Sequence, residues 1–122
     1  MSSLFYVFIG GGLGSLCRYG IGQAWDSSHF YLGTFLANVI SCLILGFLIG
    51  MSSESLLKSP HRLLLMTGFC GGFSTFSTFS GELVQLYQGG QTMAVGLYLV
   101  GSIIAGVIAI LVGLMVAKMV IS

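Results

Sequence analysis

The chain has 122 residues, 56% of them hydrophobic and 6% charged, with a formal net charge of +1 and a mean hydropathy of +1.04. That balance excludes a soluble globular domain and leaves no basic surface for nucleic acid; it is the composition of an integral membrane protein. Four apolar segments, residues 4–21, 31–51, 63–87 and 93–121, are close to or above the roughly 20 residues with which a helix crosses a bilayer. The connections between them are short, so residues 1–122 read as a single all-α domain of four transmembrane helices.

The first segment reads LFYVFIGGGLGSLCRYGIG. It lacks a basic leader and runs into Arg18 instead of a small-residue cleavage site, which argues against a signal peptide. Gly10 and Gly14 make a small-xxx-small step that lets another helix approach closely. Arg18 is the one cation set within an apolar segment, where it must snorkel, pair or face water. Two readings stay open for it: a structural Arg bonded to a carbonyl or the interface, or a charge that attracts an anion. Trp25, Asp26, His29 and Tyr31 form a corner, with Trp25 and Tyr31 suited to the headgroup level.

The second segment runs GTFLANVISCLILGFLIG, and Thr34, Asn38 and Ser41 or Cys42 share one helix face. Asn38 brings a donor-rich amide to membrane depth, where it acts either as glue between helices or as a site residue. Gly46 and Gly50 repeat the close-packing step. In the loop that follows, Ser59-Pro60 is a good helix start, with Ser as the N-cap and Pro at the first position.

The third segment holds GFCGGFSTFSTFS, residues 68–80, which is poor lipid-facing material. The paired Gly71-Gly72 predict a break in the helix. Beyond it, Phe73, Phe76 and Phe79 recur every third residue among Ser74, Thr75, Ser77, Thr78 and Ser80. Freed backbone groups and hydroxyls survive in a bilayer only inside protein or along an aqueous cavity. Carbonyls left open at the end of the first half-helix suit a small cation. The second half is expected to end near Glu82, read either as a solvated helix-end acid or as part of a vestibule.

After the turn at residues 87–91, the fourth segment is apolar apart from Tyr98 and Ser102, which share a face. Ser102 and Gly106 form another close-approach pair. The three cysteines, Cys17, Cys42 and Cys70, match no disulfide or zinc spacing and read as buried packing residues. His29 and His61 lie in loops without ligand partners. Four spans would collect Lys58, Arg62 and Lys118 on one side against Arg18 on the other, a weak charge bias compatible with insertion in both orientations.

If a polar path runs here, Asn38 and the third-helix hydroxyls supply its donors. A phenylalanine ring has a positive edge, so an anion passing Phe76 and Phe79 edge-on is attracted weakly. Weak sites in series are what conduction requires. A small, strongly hydrated anion gains most from such donors. Four helices of this length enclose little, so the path needs a second chain.

The motifs GGGLGSLCRY, GTFLAN and GFCGGFSTFSTFSGE, with GS in the fourth segment, resemble the fluoride channels of the CrcB (Fluc) family over essentially the whole chain. The resemblance implies a dual-topology dimer of two antiparallel protomers with two fluoride pores between them, exporting cytoplasmic fluoride passively across a prokaryotic cell membrane. By the same resemblance Phe76 and Phe79 match the pore phenylalanines and Asn38 the pore asparagine. Thr34 and Glu82 match polar residues near a pore mouth, Ser77 belongs to the fluoride pathway, and Tyr98 and Ser102 match the polar track on the fourth helix. Gly71 and Ser74 match positions whose carbonyls, from both chains, hold a central structural Na⁺. Two departures stand out: Ser74 replaces the family's usual Thr, and Gly106 replaces a hydroxyl found in some members.

Three other readings compete. A small four-helix exporter of cationic drugs needs a membrane-embedded carboxylate, which the first three quarters of each segment lack. The chain could also be a non-conducting assembly subunit, including one member of a heteromeric pair whose homologous partner supplies the working pore residues. An enzyme is not expected, since no nucleophile–base set or metal motif lies at a membrane face.

Overall fold

The computed structural model describes residues 2–25 and 31–121. The expected corner residues Asp26 and His29 lie outside the described residues. Within them every regular element is helical: α1 (Ser2–Trp25), α2 (Leu32–Ser53), α3 (residues 59–73), α4 (Ser77–Gln88) and α5 (Thr92–Ile121). α3 is a continuous rod built from an α-helical turn Ser59–Arg62, a π-helical stretch Leu63–Cys70 and a last turn Gly71–Phe73. α1, α2 and α5 are each long and apolar enough to cross a membrane. The third segment crosses in two pieces; the 12-residue α4, about 18 Å long at 1.5 Å per residue, is too short for the ~30 Å hydrocarbon core.

The break in the third segment falls at residues 74–76, just beyond the paired glycines, which are themselves helical. Ser74 turns extended (φ −83°, ψ 159°). The glycines serve close approach instead. A Cβ on Gly72 would collide with the Gly11 backbone, and one on Gly14 with the backbones of Phe69 and Phe73. Gly10 lies against the Leu64 carbonyl, and Gly68 against Gly10. α1 and α3 therefore touch backbone to backbone, the packing that small-residue steps permit in a bilayer.

α2 and α5 form the second tight pair by the same device. A side chain on Gly46 would run into the Ile110 backbone, one on Gly113 into Leu43 and Phe47, and one on Gly50 into Ala117. The buried apolar residues are correspondingly few, among them Ala37, Cys70, Phe73, Phe79, Ala109 and Ala117. Large apolar side chains such as Phe8, Met93 and Met119 point outward. That is the pattern of a chain whose solvent is hydrocarbon, where apolar side chains gain nothing by turning inward.

Three smaller expectations shift. Ser59 is the first helical residue of α3 and Lys58 the cap, so no side chain caps that helix. Phe73, Phe76 and Phe79 do not form one helical stripe, because the break at residues 74–76 interrupts the helix between them: Phe73 and Phe79 are buried and Phe76 is exposed. Cys70 is buried as expected and Cys42 half-buried, but Cys17 is exposed on the outer face of α1; all three thiols are free.

Candidate functional site at the broken helix

A helix interrupted at membrane depth must re-satisfy the peptide groups it releases. In a continuous helix the Thr75 N–H would bond to the Gly71 carbonyl and the Phe76 N–H to the Gly72 carbonyl. Instead the Thr75 N–H donates to Asn38 Oδ1 at 2.8 Å, and Asn38 Nδ2 donates to the Thr75 carbonyl at 3.3 Å. The Asn38 carboxamide thus pairs with one residue's backbone in the manner of a neighbouring strand. The Gly72 carbonyl is taken by Arg18 Nε at 3.2 Å. Of the two readings open for Arg18, this contact is the carbonyl-bonded one.

On the near side of the break, the Cys70 carbonyl accepts the Ser74 N–H at 3.0 Å, Ser74 Oγ at 2.9 Å and Ser41 Oγ at 3.0 Å. On the far side the Thr78 N–H, which a continuous helix would direct at the Ser74 carbonyl, bonds to Thr75 Oγ1 at 3.2 Å. The start of α4 is capped in this way by a hydroxyl from the break itself. The carbonyls of Gly71 and Ser74 have therefore both lost their usual helical donors. Gly71 also faces open space, with nothing near a Cβ placed on it.

Phe76 stands at the break with 81% of its surface exposed, while Phe79, one turn into α4, is 7% exposed. Their ring centroids are 6.5 Å apart. Phe79 meets the Tyr98 ring edge-on at 4.8 Å, and Tyr98 stacks on Tyr31 at 6.2 Å. Ser77 is exposed beside Phe76.

Glu82 departs from expectation. α4 continues to Gln88, so Glu82 lies mid-helix and only 7% exposed rather than at a solvated helix end. Thr34 Oγ1 and the Tyr98 hydroxyl each donate to its carboxylate at 2.7 Å, and the Tyr31 hydroxyl donates to Gln85 Oε1 at 2.8 Å one turn on. The charge-assisted bonds from Thr34 and Tyr98 are the kind that hold a carboxylate at depth. A cavity of about 420 Å³ opens beside this cluster, lined by Arg18, Tyr19, Gln23, Thr34, Thr78 and Glu82. A second, more apolar one of about 790 Å³ includes Tyr31, Phe35, Leu97, Tyr98 and Ser102. Glu82 lines the first and Tyr98 the second, so their hydrogen bond joins the two walls. Ser102 Oγ, in the wall of the second, is buried with no hydrogen-bond partner among the described residues.

The structure thus gathers the expected residues into two groups: Asn38, Ser74 and Arg18 around the break, and Thr34, Glu82, Phe79 and Tyr98 beyond it. Phe76, Ser77 and Gly71 are left on the surface. Sequence reasoning did not single out Thr75, whose backbone and hydroxyl hold both sides of the break. Nor did it single out Gln85, or foresee that Tyr31, read only as a headgroup-level residue, reaches the Glu82 cluster by stacking on Tyr98 and donating to Gln85. The hydroxyl and amide face of α2 was the available signal for these contacts, since a polar face at depth implies polar partners opposite.

A family model described as CrcB-like protein, Camphor Resistance (CrcB), matches residues 5–114. Among curated relatives, a protein from Prosthecochloris aestuarii is 42% identical, with 96% of this chain and 94% of the relative aligned. One from Flavobacterium psychrophilum is 38% identical over 97% of this chain and 98% of its own length. A third, from Phocaeicola vulgatus, is 35% identical over 97% and 100%. All three are named fluoride-specific ion channel FluC. With matches that run nearly end to end and three unbroken spanning helices beside a broken one, the chain belongs to the CrcB family of multi-pass membrane proteins.

Proposed function

We propose that this chain is the subunit of a fluoride channel that lets fluoride leave the cytoplasm down its gradient across the cell membrane. The relatives' names support the substrate, and the clamped break beside an exposed Phe76 supports the route. A strongly hydrated anion needs close donors and cannot be held tightly if it is to leave. The positive edges of Phe76 and Phe79, with the N–H of the Asn38 amide not spent on Thr75, meet both needs. Thr34, Ser77, Tyr98 and Ser102 extend the hydroxyl path, and Ser102 Oγ, without a partner among the described residues, suits a transient ligand.

A dimer of antiparallel copies belongs to this reading. Phe76, Ser77 and Gly71 face outward from one chain, and a second copy would place them at a shared interface with two equivalent pores. The two carbonyls stripped of helical donors, Gly71 and Ser74, fit the half-shell that one chain would offer a central Na⁺. Unwound backbone carbonyls are the usual ligands for that hard cation in membrane proteins. When bound there, Na⁺ would tie the two breaks together by charge, with each chain's Asn38 and Ser41 holding the flanking Thr75 and Cys70 backbone.

The buried Glu82 is the one observation that favours a cation exporter, since it supplies the embedded carboxylate that such a protein needs. Its oxygens are bonded by Thr34 and Tyr98, which makes it a part of the wall rather than an open cation site. Vesicles loaded with fluoride and holding only this chain test the proposal. Fluoride efflux under a K⁺ shunt supports it. No efflux until a homologous partner chain is added would assign the protein to a heteromeric pair instead.

A further inference from the structure

We infer that Ser41 is a positioning residue for permeation, acting with Asn38 as a two-point clamp on the break; its transport consequence rests on the channel reading above. Asn38 and Ser41 lie three residues apart on α2, so both reach the same neighbour from one face. Asn38 grips the far side of the break through the Thr75 backbone, with bonds of 2.8 and 3.3 Å. Ser41 grips the near side, donating to the Cys70 carbonyl at 3.0 Å. It is 2% exposed, so its hydroxyl has no water to turn to. The same carbonyl receives the Ser74 N–H at 3.0 Å, and Ser74 is the residue at which the chain turns extended.

The two contacts therefore bracket residues 70–75, and Phe76 is the first residue past the bracket. Phe76 has little packing of its own to hold it, being largely exposed, so its placement follows from the backbone just before it. With the Ser41 bond gone, the Cys70 carbonyl keeps only donors from Ser74 itself, which move with the segment they are meant to fix. The direct Ser41–Cys70 hydrogen bond between α2 and α3 on that side of the break is then gone, and the ring of Phe76 is held less firmly in place. Packing alone would not give this result, since removing one oxygen from a buried Ser leaves almost no cavity.

The test compares wild type with Ser41→Ala, Ser41→Gly and Ser41→Thr, each reconstituted in lipid and checked for unchanged oligomer size. Hydrogen exchange at Ser74 and Thr75 should be about fivefold faster in the Ala and Gly variants, the worth of one neutral hydrogen bond, with α1 and α5 unchanged. Fluoride efflux should fall by a similar or larger factor, and Ser41→Thr, which keeps the hydroxyl, should restore both. Unchanged exchange in Ser41→Ala and Ser41→Gly would overturn the clamp. Faster exchange with undiminished efflux would overturn its role in permeation. Exchange needs no fluoride, so wild-type vesicles that fail to release fluoride would remove the channel reading while the exchange result still judged the clamp.

Discussion

Asn38 and the two phenylalanines that follow the break show how differently residues of one site are held. Phe76 is exposed and Phe79 buried, so the two substitutions Phe76→Ile and Phe79→Ile should separate function from stability. Both are expected to abolish fluoride efflux from liposomes. Only Phe79→Ile should lower the thermal midpoint in detergent, by a loss of about 1–3 kcal/mol, because only that ring is packed. Asn38→Asp keeps the acceptor for the Thr75 N–H but loses the donor to the Thr75 carbonyl and adds a negative charge. It should block fluoride and cost about 1–3 kcal/mol of stability, read from the same unfolding curve. At this scale the polar residues were legible in the sequence, because hydroxyls and an amide in apolar segments are costly without a purpose. Their partners were not: Glu82 looked like a helix-end acid because nothing in its neighbours says that α4 runs on to Gln88 and that Tyr98 folds over it.

Among the helices, contact without large side chains is the rule, and the glycine steps read from sequence at Gly10, Gly14, Gly46 and Gly50 are the contacts observed. Gly46→Leu should force α2 from α5 and cost about 3 kcal/mol or leave the protein unfolded, measured by thermal unfolding or by yield of monodisperse protein. Gly20→Ala, where a Cβ meets nothing within 4 Å, should change stability by no more than about 1 kcal/mol. Just past α2, Ser55 adopts a positive φ of 59° that disfavours any side chain. Ser55→Gly should therefore raise stability by about 0.5–1 kcal/mol on the same assay. The break itself was legible as an event but not in its place. Glycine pairs break helices only where nothing better uses them, and here the contact of Gly72 with Gly11 keeps them helical. The interruption moves instead to Ser74 and Thr75, where Asn38 on α2 takes the Thr75 backbone, the Cys70 carbonyl takes Ser74, and the Thr75 hydroxyl takes the Thr78 N–H.

For the molecule as a whole, four crossings and membership of the CrcB family were readable from composition and from the motif in residues 68–80. What one chain leaves unfinished is equally informative. Phe76 and Gly71 at the surface and two carbonyls without helical donors mark the face at the break, and the proposed inverted copy would supply partners for all three. Paired with a second copy, this face is the proposed fluoride route. It is tested most directly with a fluoride electrode on vesicles that hold this chain alone, with chloride release followed in parallel. Rapid fluoride release with chloride retained is expected; folded, reconstituted protein that releases no fluoride, or releases chloride as readily, would rule the route out.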